Sequence, residues 1–116
     1  MDSIFILLMQ YDPQIDHQLD SHFPKINWMG QEWYVKTTSG NVVGPGPNIF
    51  DASSVQVDHK GALNLSIRNN GSQWLCAEVM SKNLFTFGNF EWVLQGDVYN
   101  LDPNVVFTMF LYPSQY

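Results

Sequence analysis

The chain is short of cysteine and of positive charge. Its 116 residues include a single cysteine, Cys76, so no disulfide can form within it. We interpret this thiol as a small buried hydrophobe of a strand, because no histidine lies near it in sequence to activate it. Five Lys and Arg against eleven Asp and Glu give a net charge of −6. That charge repels phosphate backbones and anionic lipids, so neither nucleic acid nor a membrane is an expected partner.

The chain also lacks the residue patterns of common active sites. Its only glutamates are Glu32, Glu78 and Glu91, and no Glu-x-Asp-x-Glu run aims acids from one strand into a cleft. Gly-x-Ser-x-Gly, His-Glu-x-x-His, Cys-x-x-Cys and phosphate-binding glycine loops are absent as well. We therefore predict no catalytic residue and no cofactor.

The chain is rich in aromatic residues and poor in charged ones. They make up 15% of the chain, against 14% for charged residues, which indicates a folded domain rather than a disordered segment. From Trp28 onward apolar residues alternate with period two in "EWYVKTT", "ALNLSIR", "QWLCAEVMS", "GNFEWVLQ" and "NVVFTMFLY". The intervening "NVVGPGPN" and "NNGS" favour turns. Short strands without helices between them predict an all-β antiparallel sandwich.

Residues 1–22 form a separate N-terminal segment in this interpretation, ahead of a sandwich over residues 23–116. The apolar run from Ile4 to Met9 fits either a buried strand or a shortened leader peptide, and the sequence does not separate the two. In "DPQIDHQLD", Asp12 can cap a short helix that starts at Pro13. The nearby aspartates and histidines could hold a metal, but a solvated acidic face is the favoured interpretation, so we predict no metal site.

Glu78 is the most unusual charged residue because it lies mid-strand among apolar neighbours. Alternation divides this strand between one face with Trp74, Cys76, Glu78 and Met80 and another with Leu75, Ala77 and Val79. If the second face covers the core, Glu78 projects beside Trp74 from a concave sheet, where a sugar ring can stack and its hydroxyls can donate to the carboxylate. The alternative is a surface glutamate paired with Lys82 or Arg68.

The succession of these segments resembles the first half of a glycoside hydrolase family 16 domain. The resemblance runs over residues 23–112 through the tryptophan strand ending in Val-Lys, the Gly-Pro-Gly-Pro-Asn loop, a Val-Asp-x-x-Gly-x-Leu-x-Leu strand, the Cys-Ala-Glu strand and Leu-Asp-Pro-Asn-Val-Val. It implies a concanavalin-like jelly-roll sandwich, here incomplete, and a parent activity of retaining hydrolysis of β-glucan-like polysaccharides. In that family the Glu-x-Asp-x-Glu strand follows soon after the last of these segments. We therefore expect a truncated domain that is inactive alone.

The resemblance also assigns residues to the cleft. Glu78 matches the strand glutamate that contacts sugar hydroxyls, and two positions later Met80 stands where related glucanases often have arginine. Trp33 and Trp92 are assigned to packing. The substrate-binding residues implied in this way are Glu78, Asn48, Phe87, Phe110 and Tyr112. Secretion is implied as well, although no convincing signal peptide is present.

Two other functions fit the same residues. A non-catalytic carbohydrate-binding module would use Glu78 and the aromatic residues to hold a polysaccharide. An interaction subunit would instead use an exposed strand edge to form a homo-oligomer or to join a complementing chain.

Overall fold

A computed structural model describes residues 4–10, for which only the backbone is described, and residues 23–43, 47–83 and 88–109. Nine strands and a single 3₁₀ turn, Ala52–Ser54, make up the regular structure of this part, so the predicted all-β class is confirmed. The strands are β1 (Ile4–Gln10), β2 (Lys25–Trp28), β3 (Gln31–Val35), β4 (Ile49–Phe50), β5 (Val55–Val57), β6 (Leu63–Leu65), β7 (Arg68–Asn69), β8 (Trp74–Ser81) and β9 (Val105–Met109).

The strands form two open sheets. The larger follows the order β2-β3-β8-β1-β9, and β4 and β7 pair with the first half of β8. The smaller is the antiparallel β5–β6 pair. At eight residues β8 is the longest strand, and it lies at the centre of the larger sheet. This confirms the strand predicted in "QWLCAEVMS".

The prediction of a wholly antiparallel arrangement is wrong. Strand β1 runs parallel to both β8 and β9, and β4 runs parallel to β8. Alternation of apolar residues reports which faces are buried, but it carries no information about strand direction. Parallel neighbours need a long connection between them, which the chain between β1 and β8 provides. Ile4–Gln10 is thus a strand, one of the two alternatives for this run.

Two other predicted strands differ from the structure. "ALNLSIR" is divided into β6 and β7, because Ser66 leaves the ladder and donates its backbone N–H and its hydroxyl to Ser54 O. "GNFEWVLQ", residues 88–95, forms no strand. Its β-forming residues have no hydrogen-bonded neighbour strand among the described residues, and propensity alone does not hold a strand in water. The side chain of Val93 is 91% exposed as a result.

The main core lies between the larger sheet and the β5–β6 pair. Val35, Val55, Ala77 and Val79 are buried there. Ala77 and Val79 therefore face the core, as alternation along β8 predicts. Cys76 lies on the other face and is fully buried against Phe50, which confirms its interpretation as a small core residue.

The predicted turn at "NNGS" is confirmed as the connection between β7 and β8. Asn70 N donates to Gln73 O over 3.0 Å, and Asn70 Oδ1 accepts from the backbone N–H groups of Ser72 and Gln73. Gly71 has a φ of +105°, a conformation that favours glycine. The short helix and acidic face predicted within residues 12–20 lie outside the described residues.

Candidate functional site

Glu78 and Lys36 form an ion pair on the face of the sheet opposite the main core. Val35 pairs with Val79 in the β3–β8 ladder, so Lys36, the next residue after β3, lies directly across from Glu78. Its backbone N–H donates to Glu78 O over 3.0 Å. Its side chain reaches the same partner, with Lys36 Nζ 3.2 Å from Glu78 Oε2. Backbone pairing thus fixes where the two charges meet.

Phe50 supports the ammonium from a third strand. It pairs with Cys76 in the parallel β4–β8 ladder and is 0% exposed. Its ring centroid lies 4.2 Å from Lys36 Nζ, a distance at which the negative face of the ring attracts the cation. Thr38 holds β4 in place, because Thr38 N donates to Phe50 O and Thr38 Oγ1 accepts from Phe50 N. Glu78 and Phe50 therefore hold Lys36 from two directions.

The pair is buried unequally. The side chain of Glu78 is 3% exposed and that of Lys36 is 16% exposed. Burial raises the pKa of the Glu78 carboxyl, while the charge and the hydrogen bond of Lys36 lower it, and burial has the larger effect. Since the raised pKa belongs to the folded state, Glu78 binds protons more tightly in the folded chain than in the unfolded one.

The surrounding sheet face is mostly apolar. Tyr34 pairs with Met80 beside Glu78, and both side chains are buried. Across the sheet, Leu7 of β1 lies in register with Glu78 and with Thr108 of β9. The pair therefore lies in the middle of a face that continues from β3 to β9.

The surface-glutamate alternative for Glu78 is wrong. Glu78 is 2% exposed as a whole residue, and its partner is neither Lys82 nor Arg68. Lys82 Nζ instead lies 3.5 Å from Glu32 Oε2, and Arg68 donates to a backbone carbonyl in the 3₁₀ turn. Trp74, predicted to share the face of Glu78, is 45% exposed at the start of β8.

Asn48 is the one other predicted cleft residue within the described ranges, and it does not lie beside Glu78. Asn48 is buried, and its backbone exchanges two hydrogen bonds with Val43, which close the Gly-Pro-Gly-Pro loop. By the β4–β8 register Asn48 is level with Trp74, four residues or roughly 13 Å along the strand from Glu78. Phe87, Phe110 and Tyr112 lie outside the described residues.

The packing roles predicted for two tryptophans are confirmed. Trp33 and Trp92 both pack against the main core. Trp33 also donates its indole N–H to Trp28 O over 3.1 Å, and the two rings lie 5.2 Å apart between centroids.

Sequence reasoning missed Lys36 and Phe50. A usable signal was present for Lys36, because alternation along "EWYVK" places it on the same face as Tyr34 and opposite Val35. Its partner could not be identified without the β3–β8 register. No such signal marks Phe50, whose two-residue strand follows a loop.

Among the described residues no group of three or more potential metal-ligating side chains occurs. The same part of the chain contains no helix long and apolar enough to cross a membrane. Comparisons with protein-family models, curated proteins and solved structures found no match to this chain.

Proposed function

We propose that this chain is a carbohydrate-active domain that binds a neutral, β-glucan-like polysaccharide on the sheet face that carries Glu78. The observation that carries the proposal is the Glu78–Lys36 pair, a buried carboxylate and ammonium in the middle of an apolar sheet face. Glu78 is also the residue that the resemblance to glycoside hydrolase family 16 matches to a sugar-contacting glutamate.

A buried ion pair usually adds little to the stability of a fold. Desolvating two charges costs about as much as their attraction returns, and apolar residues of similar volume often stabilise such a site equally well. Buried charges with shifted pKa values are more frequent at binding and catalytic sites. Lys36 is the more exposed partner, so we expect a sugar hydroxyl to contact the Lys36 ammonium. Glu78 holds that ammonium in place.

The jelly-roll architecture is part of the same proposal. A sheet centred on β8, with the β5–β6 pair packed on one face, fits the first half of such a sandwich. The parallel β1 departs from the antiparallel jelly-roll pattern, and we regard it as a variation at the N-terminus.

We expect no hydrolysis by this chain. Retaining glycosidases place two carboxyl groups about 5 Å apart, whereas Glu78 faces a lysine. Assays of the 116-residue chain on β-glucans should therefore show binding without release of reducing sugar.

The first test is binding of laminarihexaose and cellohexaose, two neutral β-linked glucose oligomers, by titration calorimetry. We expect Glu78→Gln to weaken binding about tenfold, because the ammonium loses its charged partner and its fixed position. Glu91→Gln is the matched control, because Glu91 is exposed and this substitution removes the same charge at another position. Equal binding by both variants, each checked for an unchanged circular dichroism spectrum, would contradict the proposal.

A second candidate function, assembly through a strand edge, is favoured by β9. Among the described residues β9 pairs only with β1, and its five residues carry no charge. Edges of this kind normally carry lysine, proline or a bulge that blocks further pairing.

This candidate predicts a dimer or larger oligomer. Thr108→Lys, which puts a charge in the middle of β9, should then convert the chain to a monomer in chromatography with light scattering. Val93→Lys is the control, because Val93 is 91% exposed and lies outside the strands. A monomeric wild-type chain would exclude assembly through this edge.

A further inference from the structure

An open hollow of about 450 Å³ lies beside β9, apart from the Glu78–Lys36 pair. We propose that this hollow is a second saccharide-binding surface, in which Tyr99 stacks on a sugar ring and the Asp102 carboxylate accepts hydrogen bonds from the sugar hydroxyls. The choice of a saccharide rests on the proposed function, but the location does not. The volume falls in the range of ligand sites, and Val98, Leu101, Val105 and Phe107 give the hollow an apolar lining.

Tyr99 is the feature that points to a ligand. It lines the hollow while 95% of its surface is exposed to solvent. Leu101, which is separated from Tyr99 by Asn100, is 41% exposed and belongs to the same lining. An exposed aromatic ring beside apolar surface and a carboxylate is typical of a binding surface.

Asp102 adds a fixed hydrogen-bond acceptor. Its Oδ1 accepts from Asn104 N over 2.8 Å and from Asn104 Nδ2 over 3.1 Å, which orients the carboxylate. Within the described part of the chain Oδ2 accepts no hydrogen bond, so it can receive one from a hydroxyl. Ring surface beside an oriented acceptor matches a sugar, which presents C–H groups on one face and hydroxyls at its edge.

The charge of the chain narrows the class of sugar. A net charge of −6 and the carboxylate of Asp102 both repel sugars that carry carboxyl or sulfate groups. A neutral saccharide remains, and an organic cation is the competing class, since a carboxylate near an aromatic ring also attracts ammonium groups.

The test compares variants at the two surfaces with laminarihexaose as the probe. Tyr99→Ala should weaken binding about fivefold to tenfold, because the stacking surface is lost. Tyr99→Phe keeps the ring and should bind within about twofold of wild type. Val93→Ala is the matched control, because Val93 is exposed in the same part of the chain but does not line the hollow.

The outcomes distinguish binding at the hollow from binding at the Glu78–Lys36 pair. Weaker binding in Tyr99→Ala with Tyr99→Phe unaffected supports the hollow, whatever Glu78→Gln does. Loss of binding in Glu78→Gln alone overturns the hollow and leaves the proposed function in place. Absence of oligosaccharide binding by wild type at millimolar concentration overturns both. Salt-sensitive binding of tetramethylammonium that Tyr99→Ala abolishes, without saccharide binding, overturns the saccharide assignment in favour of a cation.

Discussion

Lys36→Met is expected to lower the free energy of unfolding by about 3–5 kcal/mol at neutral pH, the usual cost of breaking a buried ion pair on one side. Methionine keeps an unbranched side chain next to Phe50 but removes the charge that balances Glu78. The carboxylate is then left buried without its ammonium. Urea unfolding monitored by tryptophan fluorescence measures the loss.

The same variant should recover part of its stability in acid. Burial already raises the pKa of the Glu78 carboxyl in the folded chain above the 4.5 that is usual for glutamate, and without Lys36 this pKa rises further. The folded state then binds a proton that the unfolded state releases, so stability is present below the unfolded pKa and is lost as the pH rises through the folded pKa. The difference between Lys36→Met and wild type should therefore shrink as the pH falls towards 4.5.

Lys82→Met is the matched control, because Lys82 and Glu32 form an ion pair whose side chains are 41% and 49% exposed. Such a pair contributes about 1 kcal/mol or less, so this variant should lose little. The double variant Lys36→Met/Glu78→Met removes both charges and should be close to wild type in stability. A loss in Lys36→Met no larger than in Lys82→Met would show that the buried pair does not form in solution.

Phe50→Ala is expected to lower the free energy of unfolding by about 3–5 kcal/mol, as truncation of a fully buried aromatic residue usually does. Phe50 is 0% exposed, packs on Cys76 and faces the ammonium of Lys36. The variant therefore leaves a cavity and also removes one of the two groups that hold the cation. Thermal unfolding by circular dichroism measures the combined loss.

Phe50→Leu separates the two contributions. Leucine fills most of the cavity but offers no ring face, so a loss of about 1–2 kcal/mol is expected. Val93→Ala, at a site 91% exposed, should change stability by about 0.5 kcal/mol at most. If Phe50→Ala behaved like Val93→Ala, β4 could not be packed on β8 as described.

In this chain the sequence predicts well which face of a strand a side chain lies on, but it predicts poorly which residues are its neighbours on adjacent strands. Alternation placed Ala77 and Val79 on the core and Glu78 on the opposite side of β8, because side-chain direction follows from local backbone geometry. The partner of Glu78 depends on the β3–β8 register, which long-range hydrogen bonds set. The prediction from single-strand patterns therefore offered Lys82 and Arg68 and missed Lys36.

The neighbours of β1 in the sheet could not be predicted from the sequence either. The uninterrupted apolar run from Ile4 to Met9 is typical of a parallel strand, but it does not identify β8 and β9 as the neighbours of β1. In residues 88–95 the apolar and polar residues alternate but form no strand, because a strand also needs a neighbour to share its backbone hydrogen bonds.

The position of β1 has a consequence for how the chain folds. Strand β1 comes first among the described strands, whereas its two neighbours, β8 and β9, are the last two of them. The larger sheet cannot become continuous until β8 and β9 have been synthesised, and their pairings with β1 are the most distant in sequence among the described strands. Such contacts close slowly and leave β1 without a partner during synthesis. Completion of the larger sheet should therefore wait until β8 and β9 pair with β1.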